Sequence, residues 1–169
     1  MDSMRIRAER PGDHAAIAAV IERAFANHPF SDHTEQRIVA ALRDAHALAV
    51  SLVADEAHAV AAHAAASRVA IADGTPDWYG LGPVAVDPPY QRQGFGTALV
   101  EATLRRLRDL GAAGCVVVGD AAYYRRFGFG PGRGLVLAGV PPEHFMAMSF
   151  AGGWPEGEVA YHAAFGGGD

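Results

Sequence analysis

The stretch from Val84 to Val100, VAVDPPYQRQGFGTALV, constrains this chain more than any other. A β-branched run feeds a loop with two prolines and two glycines, and that loop opens directly into an apolar-periodic helix. This order predicts strand, turn, helix. A helix that starts straight out of a loop leaves its first backbone N–H groups without partners, and its dipole favours negative charge there. Phosphate is the natural guest. Gly94 and Gly96 carry no Cβ and let the main chain come close to such a guest. A Walker-type loop requires a lysine, and the chain contains none. A dinucleotide fingerprint requires a third small residue where Leu99 stands. An ordinary tight turn also accounts for the glycines taken alone.

The run Gln91-Arg92-Gln93-Gly94-Phe95-Gly96 resembles the pyrophosphate loop of the GNAT superfamily, the acyl-CoA-dependent N-acetyltransferases. That pattern is Arg or Gln, two residues, Gly, one residue, then Gly or Ala. A second stretch at the family's usual separation, Tyr123 to Phe129, is similar to its later tyrosine and glycine-aromatic signature. Trp78 to Phe129, together with Val140 to Phe145, is most similar to the YhbS-like predicted N-acetyltransferases. The resemblance implies an α/β GNAT (acyl-CoA N-acyltransferase) fold, with a mixed central sheet of six to seven strands and flanking helices. It implies acetyl-CoA as cosubstrate, no metal, and direct attack by an amine in a ternary complex.

Carried over residue by residue, the resemblance assigns the pantetheine arm to the backbone of Val84, Ala85 and Val86. It assigns the pyrophosphate to Arg92, Gln93, Gly94, Phe95, Gly96 and Thr97, mostly through main-chain N–H groups. Gln91 begins the motif and is free to point elsewhere. Tyr124 occupies the place of the family's general acid; a phenol, with a pKa near ~10, stays protonated at neutral pH and can donate to a leaving thiolate. The alternative for Tyr124 is an aromatic packed over the cofactor arm. Tyr123 lies about a hundred degrees away around the helix and is the weaker candidate. Peptide-acetylating relatives often place a glutamate on the strand after the long helix, where this chain reads Val116-Val117-Val118-Gly119. His63, Asp77, Tyr79 and Glu143 stand as candidate bases, each with an alternative as a strand-face or loop residue. The missing glutamate keeps open a noncatalytic acyl-CoA-binding or regulatory module.

The chain of 169 residues is expected to form one domain over 1–169, long enough to bury a core without disulfides. Cys115, the single cysteine, sits in an apolar run and reads as a core filler rather than a nucleophile. No basic start followed by a long apolar segment and no membrane-length apolar run occur, which predicts a cytoplasmic protein. A net charge of −5 disfavours nucleic acid and suits an amine acceptor, a small molecule or a peptide. The resemblance allows a homodimer without requiring one.

In chain order the patterns predict a strand at Met4 to Ala8, then a helix capped by Asp13 with Ile17, Val20, Ile21 and Phe25 on one stripe. A second helix, capped by Ser31 or Asp32, should bury Ile38, Leu42 and Ala41. Strands follow at about 47–54 and 57–71, joined at Asp55-Glu56, then at 78–86 with a bulge near Gly82-Pro83. The helix from Thr97 to Leu110 should face Val100, Leu104, Leu107 and Leu110 inward and stop at Gly111. A buried strand at 114–118 precedes a short helix capped by Asp120. Two or three antiparallel strands near 135–138, 145–150 and 159–165 and a frayed glycine tail at 166–169 complete the reading.

Overall fold

The computed structural model describes residues 4–29 and 31–166. The elements in order are β1 (Arg5–Ala8), α1 (His14–Phe25), α2 (Glu35–Asp44), β2 (Val50–Glu56), β3 (Ala59–Ile71), β4 (Trp78–Val86), α3 (Phe95–Asp109), β5 (Gly114–Val118), α4 (Ala121–Tyr124), β6 (Gly130–Pro131), β7 (Leu135–Val136), β8 (Phe145–Ser149) and β9 (Gly157–Ala160). The main path of the sheet runs β1-β2-β3-β4-β5-β8-β6. Seven strands on this path match the expected number; β9 adds to β3, and β7 to β9. Every pair on the main path is antiparallel except β4 with β5, whose connection is α3. β7 and β9 also pair in parallel, against the antiparallel expectation. No helix among the described residues is long and apolar enough to cross a membrane.

Alternation along β3 explains how the layers stack. Ala62, Ala64 and Ala66 face Leu99, Val100, Leu104 and Leu107 of α3. On the opposite face Val53 and Ala85 pack against Ile17, Val20, Ile21 and Val39 from α1 and α2. The methyl side chains of β3 let helices approach the sheet closely, so a sequence rich in a helix-favouring residue is nonetheless held as strand by burial on both faces.

Local expectations fail where side chains find better partners. Asp13 stands at the N-cap of α1 but gives its carboxylate to Arg7 and to the Arg10 N–H rather than to the helix. Thr34, not Ser31 or Asp32, caps α2, because Ser31 bonds Glu35 and Asp32 holds Thr34. In α2 Leu42 is buried as expected and Val39 joins it, while Ile38 is only half-buried and Ala41 is exposed. The β2–β3 hairpin turns at Ala57-His58, both with positive φ (52° and 69°), beyond Asp55, which Arg7 ties into the strand. Leu110 caps α3 and is 57 % exposed, while Gly111 stops the helix at φ 86° as expected. The last predicted strand is shorter than expected and is followed by a 3-10 turn at Ala163–Phe165. Residues 167–169 of the glycine tail lie outside the described residues.

One buried polar chain ties β1, β2, β3 and α2 together. Arg43 donates to both carboxylate oxygens of Glu9 at 2.8 and 2.9 Å, and the Ser51 hydroxyl donates to Glu9 at 2.6 Å. That hydroxyl has a single proton, so His63 must donate from Nε2 across the 2.9 Å contact, and its Nδ1 is left bare and buried. Burial pushes the His63 pKa down to about 4. An unfolded chain takes up a proton near pH 6.5, whereas the folded chain resists until about pH 4. Stability therefore falls as pH drops through that window, by about 3 kcal/mol in full. Urea unfolding measured from pH 7 to pH 4 should show this loss, and His63→Leu should flatten it.

Candidate active site

The site begins where β4 leaves β5. The two strands pair through Trp78 with Gly114, Tyr79 with Cys115 and Gly80 with Val116, and then separate. On its other edge β4 follows β3 with one irregularity: Gly82 and Pro83 together oppose the single residue Ala65, a bulge with Gly82 at φ 132°. The edge of β4 from Leu81 onward thus turns its backbone groups toward an opening instead of a neighbouring strand. Val84 and Val86 send their side chains toward the α3 core and Ala85 sends its own toward α1, so only main chain meets the gap.

Three aromatic rings rest on three glycines along this gap. A Cβ on Gly114 would collide with the Trp78 ring, one on Gly80 would lie 2.6 Å from the Tyr161 ring, and one on Gly119 2.7 Å from the Tyr124 ring. Trp78 closes the paired end; Tyr161 and Tyr124 line the open part.

At the mouth of the gap stands the glycine loop. Arg92 and Gly94 take positive φ (64° and 88°), and the first intrahelical bond of α3 runs from the Ala98 N–H to the Gly94 carbonyl. The N–H groups of Gly94, Phe95, Gly96 and Thr97 therefore precede the helical ladder and form the open end of a fifteen-residue dipole. Side chains brace the loop from behind. Gln91 donates to the Val86 carbonyl and Gln93 to that of Pro89, both at 3.0 Å. Phe95 is buried edge-on to Tyr90, so it offers the loop its backbone alone. Arg23 of α1 clamps Asp87 at the loop's start with two bonds of 2.8 and 2.9 Å.

The two neighbouring tyrosines are differently employed. Tyr123 shares a hydrogen bond of 3.1 Å with Thr97 Oγ1, and the Arg126 guanidinium lies over its ring, which ties it to the glycine loop. Tyr124 lines a cavity of about 1260 Å³ that also takes in Leu81 to Val86. Burial pushes its phenol up to about 12. Cys115 is fully buried, its thiol pushed up by burial, and is no nucleophile.

None of the four candidate bases lines this cavity. His63 is sealed in its polar chain, Asp77 pairs with Arg68 at 2.9 Å, Arg68 also donates to the Tyr79 hydroxyl, and Glu143 lies exposed in a 3-10 turn. Instead the cavity is lined by Glu35 from α2 and Tyr161 after β9, which sequence reasoning missed. Each stands far along the chain from the glycine loop, and no local motif marks either one.

The comparisons agree with this geometry. The family model described as the Acetyltransferase (GNAT) family matches residues 14–129. The chain belongs to the GNAT acetyltransferase family. The GNAT relative YhbS of Escherichia coli K12, an uncharacterized N-acetyltransferase, is 37% identical over 127 residues, covering 75% of this chain and 73% of the relative. The crystal structure of a GNAT acetyltransferase from Brucella melitensis in complex with acetyl-CoA is 46% identical, covers 96% of this chain and 97% of its own, and superposes with a TM-score of 0.86. The E. coli YhbS structure in complex with CoA gives 31% identity, coverage of 99% and 94%, and a TM-score of 0.87.

Replacing Asp87 by Asn keeps the shape but removes the charge that holds Arg23. With Arg23 itself 54 % exposed, the loss should be about 1 kcal/mol, a fall in melting temperature of about 2–4 °C, read by calorimetry.

Proposed function

We propose that this chain, as one cytoplasmic domain, transfers acetyl from acetyl-CoA to a primary amine of a small molecule or peptide by direct attack. The observation that carries this reading is the pairing of a splayed β4–β5 edge with a glycine loop of unpaired N–H groups at its mouth. The loop fits a diphosphate: its amides point from a helix N-terminus and Gly94 adopts a φ that side chains resist. Among the relatives, the Brucella structure contains acetyl-CoA and the YhbS structure contains CoA. Acetyl-CoA supplies the thioester. The backbone of Val84 to Val86 accepts the pantetheine amides, and Arg92 to Thr97 cradle the pyrophosphate.

In the reaction a C–N bond forms, the C–S bond breaks, the amine gives up one proton and the sulfur gains one. Tyr124 serves the sulfur. With its pKa at about 12, its phenol is less acidic than a coenzyme thiol, so it acts by donating a hydrogen bond as charge gathers on sulfur. Tyr124→Phe should leave the KM for acetyl-CoA nearly unchanged and lower kcat about 10- to 100-fold. Ionisation of Tyr124 should put no falling limb in the wild-type pH profile below about pH 10. Turnover equal to wild type removes Tyr124 from this role.

Titration calorimetry should show micromolar acetyl-CoA binding. Gly96→Val tests the cradle: its Cβ would lie 3.3 Å from Val86 Cγ2 and 3.8 Å from Tyr123 Oη, with the branches crowding the mouth of the gap. Binding should weaken by about tenfold or more with the fold intact by circular dichroism. Thiol release that depends on an added amine separates a transferase from a noncatalytic acyl-CoA-binding module.

A further inference from the structure

Two buried oxygens without a hydrogen-bond partner belong to residues that line the cavity, and neither belongs to the glycine loop. Glu35 Oε2 accepts the Ser31 hydroxyl at 2.6 Å, while Oε1 has no partner. Tyr161 Oη is equally unpartnered. A buried polar atom left unpaired costs about 1–3 kcal/mol, so two on one cavity wall mark a place built for a polar guest.

The charge of that guest follows from what lines the cavity. Its carboxylates are Glu35, Asp120 and Glu158, no arginine is among its described lining residues, and the chain holds no lysine. An anionic group entering here would meet three carboxylates and no guanidinium, with His28 and His162 as the basic side chains among the described lining residues. A cation would find Glu35 Oε1 without a hydrogen-bond partner. The volume of about 1260 Å³ exceeds the roughly 300–1,000 Å³ of a usual small-molecule site, which leaves room for an acceptor beside the pantetheine arm. The amine that reacts must be neutral, so a positive charge held by Glu35 belongs to a different part of the acceptor.

We propose that the acceptor is a small molecule with two amino groups, one held as an ammonium by Glu35 Oε1 while the other, deprotonated, attacks at the gap between β4 and β5. This deepens the acetyl-transfer reading and rests on it. Glu35 is a specificity residue in this scheme, not the base.

The test compares 1,4-diaminobutane, 1-aminobutane and 4-aminobutanoate, all with four carbons and differing in the charge at the far end. Each is measured twice, by acceptor-dependent thiol release from acetyl-CoA and by calorimetric binding to the CoA-loaded protein. The diamine should bind, and be acetylated, with about tenfold or greater preference over 1-aminobutane, and 4-aminobutanoate should be the poorest. Glu35→Gln keeps an oxygen for Ser31 and should draw all three to within about threefold of one another. A structural role alone would lower the three together and leave their order intact, which would overturn the proposal, as would undetectable diamine binding or a preference for 4-aminobutanoate. Thiol release in the wrong order sinks this proposal and spares the transferase reading. Binding in the expected order without any thiol release supports the cation site and sinks the transferase reading.

Discussion

Three residue pairs hold β4 to β5, and the separation beyond them is what the rest of the molecule is arranged to keep. A parted sheet edge exposes main-chain groups that ordinarily pair, and such an edge persists only when the surrounding packing prevents closure. Here the paired end is clamped by Trp78 over Gly114, the Trp78 ring tilted against Trp154, while the rings of Tyr161 and Tyr124 occupy the spaces that side chains at Gly80 and Gly119 would fill. The bulge at Gly82-Pro83 lets β4 stay bonded to β3 while it bends from β5. α3 covers one face of both strands; on the other face α1 packs against Ala85 of β4, while Val116 of β5 packs with Trp78, Phe145 and Val159.

The sequence was informative where one local rule decides the outcome. The glycine loop, the short helix capped by Asp120, the strand at Gly114 to Val118 and the bulge all depend on neighbours a few residues apart, and the structure shows each of them, with the strand buried up to Val117 and Val118 exposed. Expectations failed where partners come from far along the chain. Arg7 takes Asp13 away from its helix, and α2 buries Val39 where Ala41 was expected. The cavity's own polar residues were the least visible. Glu35 reads locally as an ordinary first-turn acid and Tyr161 as one residue of a weak strand; only the fold brings them to one wall.

Charge in the molecule is sorted by depth. Burial keeps the Tyr124 and Tyr161 phenols beside the gap neutral, and likewise the Cys115 thiol in the core. Ionised groups of the interior are paired instead: burial alone would raise the pKa of Glu9, but hydrogen bonds from Arg43 and Ser51 outweigh it and hold the carboxyl below its usual range. Beside such buried neutral donors the surroundings are of low dielectric, where a hydrogen bond to a developing charge counts for more than it does in water.

The two sides of the cavity have separate origins in the chain. The parts proposed to face the donor lie in one continuous block, from β4 through the glycine loop to α4, whereas Glu35 and Tyr161 sit on segments that flank that block in sequence and meet it only in three dimensions. The block's shape is fixed by its own backbone bonds and glycines. On the proposed function, substitutions on the flanking segments would retune which nucleophile is admitted while leaving the proposed diphosphate cradle untouched, a division of labour between specificity and cofactor.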